Sequence, residues 1–186
     1  MEEVPSLVRE RFARLSAPRQ AHVERVAALL KALTRHHRLA SPEAAWLAGY
    51  GHDLFREESR ESLLAEAARL GVAVGAEERE EPILLHGPVA AAWLKQAGLG
   101  SPEVWEAVAH HTTAGPRLGG LAKALFIADG VEPGRRYPGR ERLYDLAFED
   151  LEAAWCAVVE ESARYLEGRG LRLHRKMAAA RAECQR

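Results

Sequence analysis

The sequence contains little cysteine and no long apolar run. Its 186 residues include two cysteines, Cys156 and Cys184, and neither belongs to a paired-cysteine motif. We therefore expect no disulfide scaffold and a reducing compartment. A membrane helix needs roughly 18 consecutive apolar residues, which are absent, and the first residues lack the basic and apolar regions of an export signal. These absences predict a cytoplasmic protein that has no membrane partner.

A strong excess of either charge is also missing. The formal net charge at pH 7 is −1, so no global positive field would hold a long nucleic acid, although a local cluster of cations could bind a small polyphosphate. Hydrophobic residues make up 47% of the chain and charged residues 28%. This composition is typical of a globular protein long enough for one sizeable core.

Apolar residues recur about every 3.6 positions, as in helices, and the alternation of β-branched and aromatic residues that is typical of strands is missing. Ser-Pro pairs at Ser41 and Ser101 predict helix starts, because serine caps a helix and proline suits its first position. Gly71, Gly98 and Gly170 predict helix ends. We therefore predict an all-α bundle of seven to nine helices in one domain, with a flexible loop over 71–81.

The adjacent residues His52 and Asp53 are the strongest chemical signal. A neutral imidazole and a carboxylate near a helix end can both reach one borderline metal ion. Such a pair is common by itself, but more histidines and a second aspartate lie in or beside apolar helical runs, namely His22, His86, His110, His111 and Asp129. Imidazoles and carboxylates together suit Fe, Mn, Co, Ni or Zn better than Mg or Ca, which prefer oxygen ligands.

Five short motifs occur in a characteristic order. They are Arg19-Gln20-Ala21-His22, Gly51-His52-Asp53-Leu54, Leu85-His86-Gly87-Pro88-Val89, His111-Thr112-Thr113 and Ile127-Ala128-Asp129-Gly130-Val131-Glu132-Pro133-Gly134-Arg135. In this order the chain resembles the HD-domain phosphohydrolases and, more closely, their YqeK-like branch. Members of that branch are bacterial symmetrical diadenosine tetraphosphate hydrolases. The resemblance covers roughly residues 19–139.

The resemblance implies a single HD-type domain over residues 1–186. Its metal-site core would span about 18–139, and C-terminal helices over about 140–186 would pack on that core. It also implies two iron ions that share the carboxylate of Asp53. One ion would be held by His22, His52, Asp53 and Asp129, and the second by His86, His111 and Asp53.

A polyphosphate substrate also needs cations nearby. We predict catalytic roles for Asp53, Arg56 and Lys123, and substrate contacts for Arg135, Thr112 and Thr113. Arg56 stands where the family usually has lysine, and guanidinium differs from ammonium in geometry.

Other residues receive simpler interpretations. We predict that His110 lies at the surface or behind the metal ligands, since adjacent helical residues point about 100° apart. Cys156 is expected to pack as a small hydrophobe inside a helix. Tyr50, Phe55 and Tyr137, which are close in sequence to the metal motifs, are the better candidates for a nucleobase contact.

The leading functional hypothesis is hydrolysis of the phosphoanhydride chain of diadenosine tetraphosphate to two ADP. The expected cofactors are two transition-metal ions, iron first, with Mn, Co, Ni or Zn as alternatives. The expected partner is a small-molecule dinucleoside polyphosphate or another nucleotide, and a homodimer is compatible with the sequence. Another HD-type nucleotide phosphohydrolase, a nucleotide-binding sensor with weakened catalysis, and a helical interaction module are the alternatives.

Overall fold

The computed structural model describes residues 5–186, and over that range it contains helices and no β-strand. The α-helices are α1 Ser6–Phe12, α2 Ala17–His37, α3 Pro42–Gly51, α4 Arg60–Leu70, α5 Ala76–Glu80, α6 His86–Gln96, α7 Pro102–His110, α8 Gly120–Val131, α9 Arg140–Glu149, α10 Leu151–Gly168 and α11 Arg175–Cys184, with a 3₁₀ turn at Pro82–Leu85. The all-α prediction is confirmed. Residues 1–4, on which the expectation about an export signal partly rests, lie outside the described range.

The number of helices exceeds the predicted seven to nine because two of them are short. Helix α5 has only five residues, too few to produce a helical period in the sequence. It lies within 71–81, the segment predicted as a flexible loop, and begins where the Glu78 carboxylate accepts from the backbone N–H of Gly75 at 3.0 Å. This local hydrogen bond stabilises a helix start that carries no Ser, Thr, Asp or Asn cap.

The predicted helix boundaries are confirmed by cap geometry. Ser41 caps α3 by accepting from the backbone N–H of Ala44, and a proline follows at the first helical position. Ser101 precedes α7, also followed by proline, although its hydroxyl makes no capping bond. Gly71 ends α4 in the left-handed conformation at φ +69°, which glycine adopts without steric cost.

A close approach of α2 and α3 brings the first two metal motifs together. A Cβ atom at Gly49 would lie 2.7 Å from the Cα and 2.8 Å from the Cβ of Ala27. Because neither helix has a larger side chain at this crossing, α3 can carry His52 toward His22 on α2. The centres of the two imidazole rings are 5.7 Å apart.

We expect Gly49→Ala to lower the free energy of unfolding by about 1–3 kcal/mol, because the added methyl must push the two helices apart. The matched control is Gly168→Ala at the end of α10, where nothing lies within 4 Å of the added Cβ. That control should leave stability unchanged or raise it by up to about 1 kcal/mol. Urea unfolding of the three proteins measures both effects, and equal midpoints would contradict the close-packing argument.

Helix α8 is the central element of the core. Eight of its residues are buried, including Leu125, Ile127 and Ala128. The helix packs against α2, α7 and α10, so its polar residue Asp129 is presented to the side chains of α2. The carboxylate is only partly exposed, at 20%.

The C-terminal helices α10 and α11 pack on one another and are joined by a disulfide between Cys156 and Cys184. The Cα atoms of the two cysteines are 5.4 Å apart. The interpretation of Cys156 as a small hydrophobe is therefore wrong, since its sulfur is bonded to that of Cys184. The two cysteines are 28 residues apart and no local motif links them, so their pairing depends on how the chain turns back between the two helices.

No helix within residues 5–186 is a candidate membrane span. None of the helices described there combines the length and apolar character that a membrane crossing demands.

Candidate metal centre

Six side chains from five helical segments converge beneath α2. His22 lies within α2, and His52 and Asp53 directly follow α3. His86 begins α6, His111 directly follows α7, and Asp129 lies near the end of α8. All except Asp129 are buried. The structure therefore brings together every residue that the sequence predicted as a metal ligand.

Asp53 lies between two groups of imidazoles. Its Oδ1 is 3.3 Å from Nε2 of His86 and 3.4 Å from Nε2 of His111. Its Oδ2 is 3.7 Å from Nε2 of His22 and 3.6 Å from Nε2 of His52. The donor atoms form two compact groups, His22–His52–Asp53 and Asp53–His86–His111, each able to hold a metal ion. One carboxylate thus serves both groups, with one oxygen facing each.

Asp129 extends the first group. Its Oδ1 is 3.1 Å from Nε2 of His22.

The ring orientation of three histidines is set by the backbone. In each case Nδ1–H donates to the carbonyl oxygen three residues earlier in the chain. The pairs are His52 with Gly49 at 2.7 Å, His86 with Ile83 at 2.5 Å, and His111 with Val108 at 2.8 Å. Because a carbonyl can only accept, Nδ1 carries the proton and Nε2 presents its lone pair to the centre of the cluster.

The fourth histidine is oriented by a side chain. Nδ1 of His22 is 3.1 Å from Oε1 of Glu132, which is 2% exposed. The other oxygen of Glu132 accepts from Nε of Arg25 at 2.5 Å and from the backbone N–H of Gly134. Carboxylates commonly fix metal-binding imidazoles in this way. The sequence reading did not single out Glu132, although an acid three residues after Asp129 near a helix end was an available signal.

The position after His86 has room only for a glycine, Gly87. A Cβ atom at this position would lie 2.8 Å from the carbonyl oxygen of Val108 and 3.1 Å from the ring of His111. The start of α6 can therefore approach the end of α7 closely enough for Nε2 of His86 and Nε2 of His111 to lie 3.0 Å apart.

The donor set fits a divalent transition metal. Nε2 of His52 is buried and has no hydrogen-bond partner among the described residues. Nε2 of His22 is also buried and faces the carboxylates of Asp129 and Asp53 without a well-directed hydrogen bond to the described residues. Such unpaired buried nitrogens are costly. The Nε2 atoms of His86 and His111 face one another with their lone pairs, an arrangement that a cation beside both would stabilise. Neutral imidazoles and carboxylates are also the ligands that borderline divalent metals prefer.

The protonation states of His52 and of the two aspartates agree with this chemistry. Burial lowers the pKa of His52 to about 4, so its ring is neutral at pH 7. Burial by itself would favour the neutral acid form of Asp53, but the imidazoles of His52, His111 and His86 hold its pKa well below the usual range. The pKa of Asp129 is also lowered, because the partners that include His22 and Arg135 outweigh its burial. The site thus offers anionic oxygens and a neutral nitrogen at His52.

A family comparison agrees with the geometry. The model of the HD domain matches residues 19–154, which include all six predicted ligand residues. The chain belongs to the HD-domain family. The order of the motifs predicted this family, and HD domains bind divalent metals.

Three curated relatives share the name bis(5'-nucleosyl)-tetraphosphatase, symmetrical. The protein from Halalkalibacterium halodurans is 33% identical over 84 residues, which are 45% of each chain. The Staphylococcus aureus protein is 41% identical over 66 residues, 35% of this chain and 34% of that one. The Bacillus subtilis protein is 31% identical over 86 residues, 46% of each chain. The aligned segment therefore spans less than half the length of these relatives.

A solved structure resembles the chain over nearly its whole length. It is described as a predicted HD superfamily hydrolase involved in NAD metabolism from Clostridium acetobutylicum. The TM-score is 0.89 at 27% identity, and the match covers 96% of this chain and 94% of that one. This agreement extends the HD fold into the C-terminal helices of the chain.

Two arginines contact the carboxylates of the HD centre. Arg135 donates from Nη2 to Oδ1 of Asp129 at 2.6 Å and from Nε to its backbone carbonyl oxygen at 2.9 Å. Arg19, which the sequence reading quoted without a role, donates from Nη1 to Oδ2 of Asp53 at 2.7 Å. Both cations lie where an anionic ligand of the metal centre would be attracted.

The other predicted site residues occupy varied positions. Thr112 places Oγ1 3.0 Å from Nε2 of His111 and 3.1 Å from Nε2 of His86, whereas Thr113 is buried and donates to the carbonyl of Ala114. Lys123 bonds to Glu152 on α10 at 2.6 and 2.8 Å, and it does not line the cavity at the metal centre.

Arg56 follows Asp53 by three residues and is half-buried. Its side chain makes no ion pair or hydrogen bond to the described residues. His110 donates from Nδ1 to the carbonyl oxygen of Ala114 at 3.1 Å and is not among the two groups of ligand atoms.

A cavity of about 480 Å³ adjoins the metal centre. His111, Thr112 and Asp129 form part of its wall, together with Arg135 and Arg136. Its volume falls within the usual range for small-molecule sites.

Aromatic residues divide between this cavity and the core. Tyr137 lines the cavity and donates to the carbonyl of Gly130 at 3.0 Å. Tyr50 and Phe55 are instead buried in the core, at 5% and 1% exposure. The two are therefore unable to contact a nucleobase, contrary to the sequence-based expectation.

Proposed function

We propose that this HD-domain phosphohydrolase cleaves a dinucleoside tetraphosphate symmetrically, converting diadenosine tetraphosphate and water into two ADP. The observation that carries the proposal is the common cavity. His111 and Asp129 of the metal centre, the side chains of Arg135 and Arg136, and one face of α10 all border it. The names of three curated relatives support the same reaction.

Two transition-metal ions, iron first, are the proposed cofactors. His22, His52, Asp53 and Asp129 would hold one of them, and His86, His111 and Asp53 the other. When bound, such ions stabilise charge on phosphoryl oxygens and lower the pKa of a water molecule toward neutrality. The protein contributes a buried set of ligands whose rings are already oriented.

The polar residues around the centre would bind and orient the polyphosphate. Arg135 and Arg136 border the cavity and can donate to phosphate oxygens. Arg56 has no competing partner among the described residues, so its guanidinium is free to bind an anion. Thr112 can donate its hydroxyl to an oxygen beside His86 and His111. Lys123 would have to leave Glu152 before it could contact substrate.

A second candidate is hydrolysis of a different nucleotide. The structural relative described as an HD superfamily hydrolase involved in NAD metabolism favours it. The same ligand set and arginines would serve any phosphoanhydride, because they recognise phosphate and not the base.

The deciding experiment measures metals and products on the same sample. Protein purified without added metal is analysed by mass spectrometry for transition metals and then incubated with diadenosine tetraphosphate. About two ions per chain and ADP as sole product are expected. Equal amounts of ATP and AMP would overturn symmetric cleavage. Turnover of other nucleotides in a substrate panel, with diadenosine tetraphosphate left intact, would favour the second candidate.

The contact between Glu132 and His22 gives a prediction about metal affinity. We expect Glu132→Gln to weaken binding of one metal ion by about 10–100-fold, because the charged partner that orients His22 is lost. Competition with a chelating dye measures the affinity. Glu149→Gln on α9, an exposed residue, is the charge-matched control. Unchanged affinity in Glu132→Gln would show that the orientation of His22 does not depend on this carboxylate.

A further inference from the structure

One face of α10 lines the cavity that His111 and Asp129 of the candidate metal centre also line. Its members follow the pattern i, i+3, i+4, i+7, i+8 that marks one side of a helix. They are Val158, Glu161, Ser162, Tyr165 and Leu166. Phe126 from α8 and Met177 from α11 complete the apolar part of this wall. The sequence predicts only that the C-terminal helices pack on the metal-site core, whereas the structure also places them at the cavity.

Glu161 is the acidic side chain on this face. Its neighbours Glu160 and Glu167 on the same helix are both held by Arg181, with contacts of 2.8 and 2.7 Å. Glu161, in contrast, has no ion pair or side-chain hydrogen bond among residues 5–186 and is half-buried at the cavity. Its carboxylate is therefore available to a ligand.

A carboxylate at this position does not suit the phosphates. Two anions in a partly buried cavity repel each other, so Glu161 should face the uncharged part of a nucleotide. Exocyclic amino groups of bases are good donors to a carboxylate. The apolar and aromatic side chains beside Glu161 can cover the faces of a flat ring. Arg135 and Arg136, which border the same cavity, would meanwhile face the phosphates.

We propose that Glu161 is a specificity-determining residue that accepts a hydrogen bond from the exocyclic amino group of a purine base. The subsite would favour aminopurine nucleotides over nucleotides whose base lacks that group. This inference rests on the proposed function for its ligand class, a nucleotide. In this proposal, α10 recognises the base and the residues around Asp53 act on the phosphates.

The test compares two diphosphates by calorimetry on metal-loaded protein. The first is ADP, and the second is purine riboside 5'-diphosphate, which differs by lacking the amino group. Wild-type protein should bind ADP roughly tenfold or more tightly than the analogue, as expected for a hydrogen bond to a charged acceptor. Glu161→Ala should bind the two equally. Glu161→Gln, whose amide oxygen can still accept, should restore part of the preference for ADP.

Glu149→Ala, which removes a surface carboxylate on α9, is the control and should retain the wild-type preference. A preference for ADP that survives in Glu161→Ala would overturn the proposed base contact. So would an equal loss of affinity for both ligands.

The two proposals fail in different ways. Wild-type protein that binds ADP selectively but leaves diadenosine tetraphosphate intact would overturn the proposed reaction and support the base contact. Protein that cleaves diadenosine tetraphosphate but binds both diphosphates equally would overturn the base contact alone.

Discussion

Asp53→Asn is expected to abolish the proposed hydrolysis almost completely and to lower the metal content below one ion per chain. Asp53 is the residue common to both groups of ligand atoms, and the substitution replaces one anionic oxygen by an amide nitrogen. Several kcal/mol of charge stabilisation would be lost, and each step of about 1.4 kcal/mol is a factor of ten. We therefore expect kcat/KM to fall by roughly 10³-fold.

The measurement combines steady-state kinetics with metal analysis of the same preparation. Asp145→Asn is the matched control, because Asp145 is an exposed residue of α9. Circular dichroism checks that both variants remain helical. An Asp53→Asn protein that kept two ions and wild-type turnover would rule out the shared carboxylate as a ligand.

Removal of metal is expected to lower the stability of the fold substantially. A ligand present at about 1,000 times its dissociation constant stabilises the native state by about 4 kcal/mol. For a chain of this size, that corresponds to a rise in melting temperature on the order of ten degrees. The gain should be large here because the ion would pair with buried nitrogens of His22 and His52 that have no well-directed hydrogen bond to the described residues.

Thermal unfolding after chelation, and again after addition of iron(II), manganese(II) or magnesium, measures this effect. Transition metals should raise the melting temperature more than magnesium, which prefers oxygen ligands. Asp53→Asn serves as the control and should respond weakly. A melting temperature that is the same with and without transition metals would contradict a structural contribution of the site.

The sequence predicts those features that depend on local signals. Ser41 and Gly71 mark the ends of helices through hydrogen bonds and backbone conformations of their own segments. The residues of the candidate metal centre could also be selected from the sequence, because each lies in a short motif and the motifs have a recognisable order. Their convergence at Asp53 follows once five helical segments pack around the same core.

Features that depend on distant parts of the chain were not predictable. Glu132 orients a ring that is 110 residues away in sequence. Cys156 and Cys184 meet because α10 and α11 pack together. Lys123 is only six residues before Asp129 in the sequence, which suggested a role at the metal centre. It lies, however, on the side of α8 that faces Glu152. In each case, tertiary packing and not local spacing decides which groups are neighbours.

The different anchoring of the four imidazoles limits how this centre can change during evolution. The rings of His52, His86 and His111 are held by main-chain oxygens, which no side-chain substitution removes. His22 alone depends on a carboxylate and, through it, on Arg25. Mutations that adjust metal affinity without replacing a ligand are therefore expected to concentrate at Glu132 and Arg25. The orientation of the His22 ring can change through these two side chains, whereas the other three rings are fixed by the backbone.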